Sequence, residues 1–275
     1  MADQHTPGSL VLTFFGAYGR ELTPSGRLPI AALIRLLGAV GVDAPAVRSA
    51  VSRLKRRGLL EAGAREGARA GAGYALSPAA AQLLADSDRR IYQRPVPDGR
   101  WLVAVFSVPE SERDRRHLLR SRLGRLGFGN AAPGVWVAPS HLAEETRHTL
   151  RRLELAEYVD LFLGTHEGFR PSAETAARWW DLESIAARHR DFLTVHEPVL
   201  AALESGGGPT PESGYAAHLR ALDAWRQLRY ADPGLPDAVL PPHWPGTRSE
   251  QVFGELHKQL HELGAQYAAS RLAPN

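Results

Sequence analysis

The residues best placed to do chemistry lie between positions 44 and 57, which read Ala-Pro-Ala-Val-Arg-Ser-Ala-Val-Ser-Arg-Leu-Lys-Arg-Arg. At about 100° per residue on a helix, Val47, Ala50, Val51 and Leu54 gather on one side and can be buried. The other side collects Pro45, Ser49, Ser52, Arg53 and Arg56, with Arg48 and Lys55 on its flanks. Short hydroxyls permit close approach to base edges or phosphates. Arginine can grip guanine through two hydrogen bonds or neutralise a phosphate. The face suits a helix laid in the major groove of double-stranded DNA. An amphipathic helix with a merely solvated basic face has the same pattern, so the flanking elements must decide.

Those elements agree with the DNA reading. Ser9 is a plausible N-cap for a short helix through about Tyr18, with Leu10, Phe14 and Phe15 as buried candidates. Gly19 and the Thr-Pro-Ser-Gly at 23–26 break the chain before a second helix from about Pro29 to Val40. Gly41 and Val42 form a tight turn, and Asp43 caps the third helix with Pro45 in its first turn. Two helices joined this closely have the layout of a helix-turn-helix. After Gly58, Leu59-Leu60-Glu61-Ala62 and Gly73-Tyr74-Ala75-Leu76 read as two short strands around a Gly/Ala-rich tip holding Arg65 and Arg69. A cationic wing of this kind reaches phosphate or the adjacent minor groove. A helix from Pro78 to about Arg90, with Leu83 and Leu84 facing inward, closes the module.

Pro95 to Gly99 reads as a linker, and Trp101–Phe106 as a continuous apolar strand fit for burial. A basic helix over about 110–126, a hairpin through Phe128-Gly129-Asn130 and Val135–Ala138, a helix over 140–154 and a strand at Tyr158–Leu163 follow. This order, βαββαβ, is the ferredoxin-like plan. The last third has helical periodicity at about 173–202, 215–230 and 249–270, separated by Gly- and Pro-rich connections. The fold class is therefore α+β: a winged helix-turn-helix over 9–94 behind a flexible tail at 1–8, a ferredoxin-like domain over 95–168, and a helical domain over 169–275 for effector binding or dimerisation.

Charge is unevenly shared. Residues 1–94 carry 13 Lys+Arg against 7 Asp+Glu, residues 95–168 carry 10 against 10, and residues 169–275 carry 10 against 13. The net +3 thus hides a basic excess confined to the first third, where a polyanion would dock. Only Lys55 and Lys258 are lysines, so arginine abundance is a chain-wide habit and placement must carry the argument.

Several chemistries are excluded. The absence of Cys removes disulfides, thiolate metal sites and thiol nucleophiles. The polar opening lacks a secretion signal, and no apolar run approaches the ~18 residues of a membrane span, so a cytoplasmic location is expected. A hydrolase needs a nucleophile elbow such as Gly-x-Ser-x-Gly, which is missing. The strand ending at Ser107 lacks the acidic residue with which nucleases of this topology hold Mg²⁺. A metal-dependent hydrolase or nuclease is thus a remote alternative, and no catalytic residues and no cofactor are assigned. His257 and His261 lie one helical turn apart beside the stripe of Phe253, Leu256, Leu260 and Leu263. Two ligands alone read as a boundary pair, so no metal is assigned. Trp179, Trp180, His189, Trp225 and Arg229 are the candidates for an effector pocket between helices. The plainer alternative is a core whose indole N–H groups have found partners.

The chain resembles the PaaX-type transcriptional repressors of phenylacetate and related aromatic catabolism. The resemblance runs from Ser9 to about Val252. It rests on Val47-Arg48-Ser49-Ala50, Arg53-Leu54, Gly58-Leu59-Leu60, Tyr74-Ala75-Leu76-Ser77, Ile91-Tyr92, Asp98-Gly99-Arg100-Trp101-Leu102 and Gly127-Phe128-Gly129. It continues in Asp232-Pro233-Gly234-Leu235-Pro236 and Leu240-Pro241-Pro242-His243-Trp244. It implies a homodimeric repressor that binds an inverted-repeat operator and is released by an acyl-coenzyme A thioester. The family commonly has Trp where Leu59 stands and a more compact wing, so operator sequence and effector identity do not transfer. A DNA-binding protein without an effector, its C-terminal domain serving only dimerisation, is the alternative.

Overall fold

The computed structural model describes residues 5–20, 22–23, 26–63, 73–93, 98–206 and 208–272. Contacts cluster the chain into two compact units. One comprises Met1–Arg89, Asp191–Arg226 and Thr247–Asn275; the other comprises Arg90–Arg190 and Gln227–Gly246. Residues 169–275 are therefore shared between the two units.

In the first unit, α1 (Pro7–Phe14) starts before Ser9, because the N-cap is Thr6. The Thr6 hydroxyl accepts from the Ser9 N–H at 3.1 Å, and Pro7 pre-sets the first turn. The stretch 5–8, expected as a tail, is thus built into the fold from His5 onward. A π-helical turn over Phe15–Gly19 prolongs α1. The short strand β1 (Leu28–Pro29) precedes α2 (Ile30–Gly38) and α3 (Ala44–Arg56). β2 (Leu60–Gly63) and β3 (Gly73–Leu76) complete an antiparallel sheet in the order β1-β3-β2, with Leu60 opposite Leu76 and Leu28 opposite Tyr74. Two residues are too few to show alternation, which is why β1 is invisible in the sequence.

Ser77 ends β3 by donating to the Gly58 carbonyl at 2.7 Å, and its oxygen accepts from the Ala80 N–H at 3.1 Å, starting α4 (Pro78–Tyr92). Leu84 of α4 is buried, but Leu83 is 38% exposed, correcting the expectation that both face inward. Adjacent helix positions point about 100° apart, and only one of the two can face the core.

The core of this unit joins Leu10, Phe14, Phe15 and Tyr18 to Leu33, Leu36 and Leu37 of α2 and to Val47, Ala50, Val51 and Leu54 of α3. Two later helices, α9 (Pro211–Ala231) and α10 (Pro245–Ser270), add Tyr215, Leu219, Tyr267 and Ala268. A carboxylate lies inside this apolar set. Asp223 of α9 is fully buried, accepting from the Thr13 hydroxyl at 2.8 Å and the Ser9 hydroxyl at 2.5 Å, with His5 Nδ1 at 2.8 Å.

The second unit is built on β4 (Trp101–Phe106), α5 (Arg113–Leu126), β5 (Gly129–Ala132), β6 (Val135–Pro139), α6 (Ala143–Arg152) and β7 (Val159–Gly164). The strands pair antiparallel in the order β5-β6-β4-β7, the ferredoxin-like arrangement. Leu102 and Ala104 face Leu119, Leu123, Leu150 and Leu155. On the opposite side Trp101, Val103 and Val137 meet Trp180, Ile185, Leu235 and Val239. Apolar contact on both faces accounts for the run Trp101–Ala104 of β4, whereas Val105 beyond it is 38% exposed.

The predicted helix over 173–202 is two, α7 (Ser172–Trp179) and α8 (Leu182–Glu204). Asp181 breaks it, accepting from the Ser184 N–H at 3.0 Å as a new N-cap. Asp98 fixes the entry to β4. Its carboxylate accepts from the Arg100 N–H at 3.0 Å, Arg100 Nε at 2.8 Å and the Ser140 hydroxyl, which together hold its pKa at about 2. Among the described residues no helix is long and apolar enough to cross a membrane.

Removing the Asp223 carboxylate strands two hydroxyls and an imidazole together. Asp223→Ala is expected to lower unfolding free energy by on the order of 3 kcal/mol in urea titration. A change under about 0.5 kcal/mol would show that these bonds do not hold α1.

Burial pushes the His196 pKa from 6.5 to about 4, with the His5 charge adding to it. Burial does the same to His141, helped by the Arg90 and Arg229 guanidiniums. The unfolded chain takes up protons near pH 6.5 while the folded one resists until about 4. Stability present above pH 6.5 is therefore lost as pH falls towards 4. Melting curves across this window should drop steeply, and His196→Leu should flatten the drop; an unchanged slope would acquit His196.

Candidate nucleic-acid interface and buried clusters

The Asp43 side chain accepts from the Ala46 N–H at 2.7 Å, so α3 begins where its cap dictates. Val47, Ala50, Val51 and Leu54 are buried. Pro45, Arg48, Ser49, Ser52, Arg53, Lys55 and Arg56 are all exposed and share the outward side. Arg57, which periodicity did not single out, is exposed beside them at the C-cap. Arg65 and Arg69 lie outside the described residues.

Several other cations of this unit are engaged. Arg20 pairs with Asp88 at 2.9 Å, Arg248 with Glu197 at 2.6 Å, and Arg35 donates to the Arg271 carbonyl at 2.7 Å. Among the described residues, no side chain forms an ion pair with Arg48, Arg53, Lys55 or Arg56. The α3 face thus presents cations and hydroxyls free to meet an outside anion.

The five expected effector residues fall in both units. Trp225 belongs to the first unit, where it stacks on Phe253 with centroids 4.8 Å apart and tilts against Phe192. The other four are in the second unit. Trp180 is buried and donates its indole N–H to the Gly127 carbonyl at 2.9 Å. Its ring lies so close to Gly129 that a Cβ there would come within 2.7 Å, which explains the glycine of the Gly-Phe-Gly segment. Trp179 is half-buried, edge-on to Trp101 and Trp180.

His189 is buried, with Nε2 at 2.9 Å from the Asp232 carboxylate, which also accepts from the Gly234 N–H at 2.8 Å. Burial raises the Asp232 pKa, but the His189 contact, the Gly234 N–H and the Arg229 charge outweigh it and hold the carboxyl low. Arg229 Nε donates to the Arg90 carbonyl and Arg90 Nε to the Arg229 carbonyl, each at 2.9 Å. Trp180, His189 and Arg229 are therefore committed to internal partners, the outcome that buried indoles and charges favour.

Packing also gathers histidines in the first unit. His257 and His261 are joined by His218 of α9, and one ring nitrogen from each lies within 4.8 Å of the others. His218 is fully buried, with Nε2 at 2.9 Å from His257 Nδ1 and Nδ1 bonded to the Tyr18 hydroxyl. Burial first, then the neighbouring imidazoles, pushes His218 down to about 3 and His257 to about 4. Both are neutral near pH 7 and can offer lone pairs. His218 lies some forty residues from the pair, so no local motif announces it.

Three family models match the chain in series. The PaaX-like protein model covers residues 6–80, the PaaX protein central Cas2-like domain covers 94–176, and the PaaX-like protein C-terminal domain covers 180–270. The transcriptional repressor PaaX of Escherichia coli (strain K12) is 27% identical over 252 residues, spanning 88% of this chain and 78% of that protein. The uncharacterized protein Rv0674 from Mycobacterium tuberculosis matches with a TM-score of 0.58 at 19% identity, covering 98% of this chain and 97% of that one. This last likeness concerns the fold alone. With three consecutive family models along its length and a PaaX relative aligned over most of it, the chain belongs to the PaaX family.

Proposed function

We propose that the chain is a DNA-binding transcriptional repressor of an aromatic-compound or related catabolic operon, working as a regulator and not as an enzyme. The observation that carries this reading is the outward face of α3, where Arg48, Arg53, Lys55 and Arg56 stand exposed beside Ser49 and Ser52. The relative from E. coli, itself a transcriptional repressor, supports it. In this reading residues 9–94 are a winged helix-turn-helix. α2 braces α3 in the major groove, the β2–β3 hairpin is the wing, and its tip carries Arg65 and Arg69 to phosphate or the minor groove. Arg48, Arg53 and Arg56 contact bases or phosphates, Lys55 a phosphate, and Pro45, Ser49 and Ser52 sit at the closest approach.

The segments 95–168 and 169–275 complete a cytoplasmic homodimer on an inverted-repeat operator. Two-fold protein symmetry sets the half-sites about one helical turn or a multiple apart. A small effector such as an acyl-coenzyme A thioester releases the complex by binding the DNA-free form more tightly. Of the effector candidates, Trp179 alone keeps a half-exposed ring with which to meet such a ligand.

Fluorescence anisotropy against the duplex upstream of the protein's own gene, with a scrambled duplex beside it, tests this reading. Selective binding is expected, weakening at higher salt and abolished by one member of a thioester panel. Equal affinity for both duplexes would reduce the basic face to a general polyanion surface. Arg53→Ala is expected to weaken operator binding about tenfold or more and to relax discrimination at one base position. Uniform weakening across sequences, with the salt slope reduced by about one, would reassign Arg53 to phosphate. Unchanged affinity would remove it from the interface.

A further inference from the structure

We propose that His218, His257 and His261 form a binding site for a first-row divalent cation of the Zn²⁺ type. The three imidazoles come from two helices. His257 and His261 stand one turn apart on α10, the i, i+4 spacing that aims two rings at one point, and His218 faces them from α9. Their nitrogens already lie within 4.8 Å of one another, whereas Zn–N bonds of ~2.0–2.1 Å place tetrahedral ligands about 3.4 Å apart. Small ring rotations close that gap.

A second observation points to a ligand. His261 Nδ1 is buried, and no hydrogen-bond partner faces it among the described residues. A buried polar nitrogen is ordinarily satisfied, and coordination, directly or after a ring flip, satisfies it. The support around the site has the form of a metal centre. The Tyr18 hydroxyl holds His218 Nδ1 and so directs Nε2 towards the other rings, the outer hydrogen bond that orients metal-bound histidines. Tyr18 also stacks on His261, with ring planes 9° apart and centroids 5.5 Å apart. Gly264 makes room for it, since a Cβ there would lie 2.1 Å from the Tyr18 hydroxyl.

Neutral imidazoles suit Zn²⁺, Co²⁺, Ni²⁺ and Cu²⁺ and do not suit Mg²⁺ or Ca²⁺. The group contains three imidazoles and no carboxylate. The bound ion would keep its double charge and leave a fourth position for water. His257 and His261 are only part-buried, which gives the ion a way in. Once bound, the ion would tie α9 to α10 and, through Tyr18, to the end of the first helix.

The test uses the full chain, freed of metal with a chelator and titrated with Co²⁺. One Co²⁺ per chain with the visible bands of a tetrahedral nitrogen site is expected, bleached by Zn²⁺, and Zn²⁺ should raise the melting temperature by several degrees. His257→Ala and His261→Ala should each abolish the bands. Tyr18→Phe should weaken Zn²⁺ binding ~10-fold, the usual loss for an outer-shell partner. His148→Ala, an exposed histidine of the second unit, should change nothing. Circular dichroism identifies the variants that fold, and one folded ligand variant suffices. A wild-type chain without the bands overturns the site whatever the variants do. Bands that persist in a folded ligand variant, or vanish in His148→Ala, overturn it equally. The trio would then be a hydrogen-bonded chain from Tyr18 through His218 to His257.

Discussion

The N-terminal unit is organised by one acidic group that water does not reach. A carboxylate in an apolar core is tolerable only where donors surround it. Asp223 has Ser9, Thr13 and His5, all from α1 or just before it. Those bonds fix the rotation of α1 on α9. With that rotation set, Leu10, Val11, Phe14 and Phe15 face the core that α3 shares. The inner side of α3 is thereby committed to apolar contact, and its cations have only the outside to occupy. Tyr18, His218 and Gly264 repeat the arrangement at the far end of the first helix, again joining it to α9 and α10.

The second unit solves a different problem. Its central strand β4 is covered on both faces from Trp101 to Ala104, whereas the edge strand β7 keeps Asp160, Phe162 and Leu163 exposed. The segments that carry the family resemblance here act as framework. Gly127 and Gly129 receive the Trp180 indole, Asp232 holds His189 and the Gly234 N–H, and Asp98 pins Arg100 and Ser140 at the mouth of β4. Trp180 Nε1 donates to a backbone carbonyl, and His189 Nε2 faces a carboxylate.

Arginine is scattered throughout this chain, and composition says little about which guanidiniums act on a partner. Neighbours show which are already paired within the chain. Arg20, Arg90, Arg229 and Arg248 are tied to carboxylates or carbonyls of their own unit. The α3 cations stand on a helix whose acidic complement is a single N-cap, Asp43, already accepting from the backbone. Among the described residues no ion pair neutralises Arg48, Arg53, Lys55 or Arg56, which is the electrostatic basis of the proposed DNA reading.

Features set by near neighbours were legible in the sequence. These include the α3 cap and its two faces, the β2 and β3 strands, the βαββαβ order and the basic first third, since periods of 2 and 3.6 residues, caps and turns are local signals. Misplaced features were settled by distant partners. Thr6 is the cap, and Ser9, inside the helix, donates its hydroxyl to Asp223. Leu83 turned outward because its neighbour Leu84 met the core. The meeting of His218 with His257 and His261 is the extreme case. Each histidine obeys its own helix, and only the packing of α9 against α10 puts their nitrogens at one point, a coincidence that no period along the chain can encode.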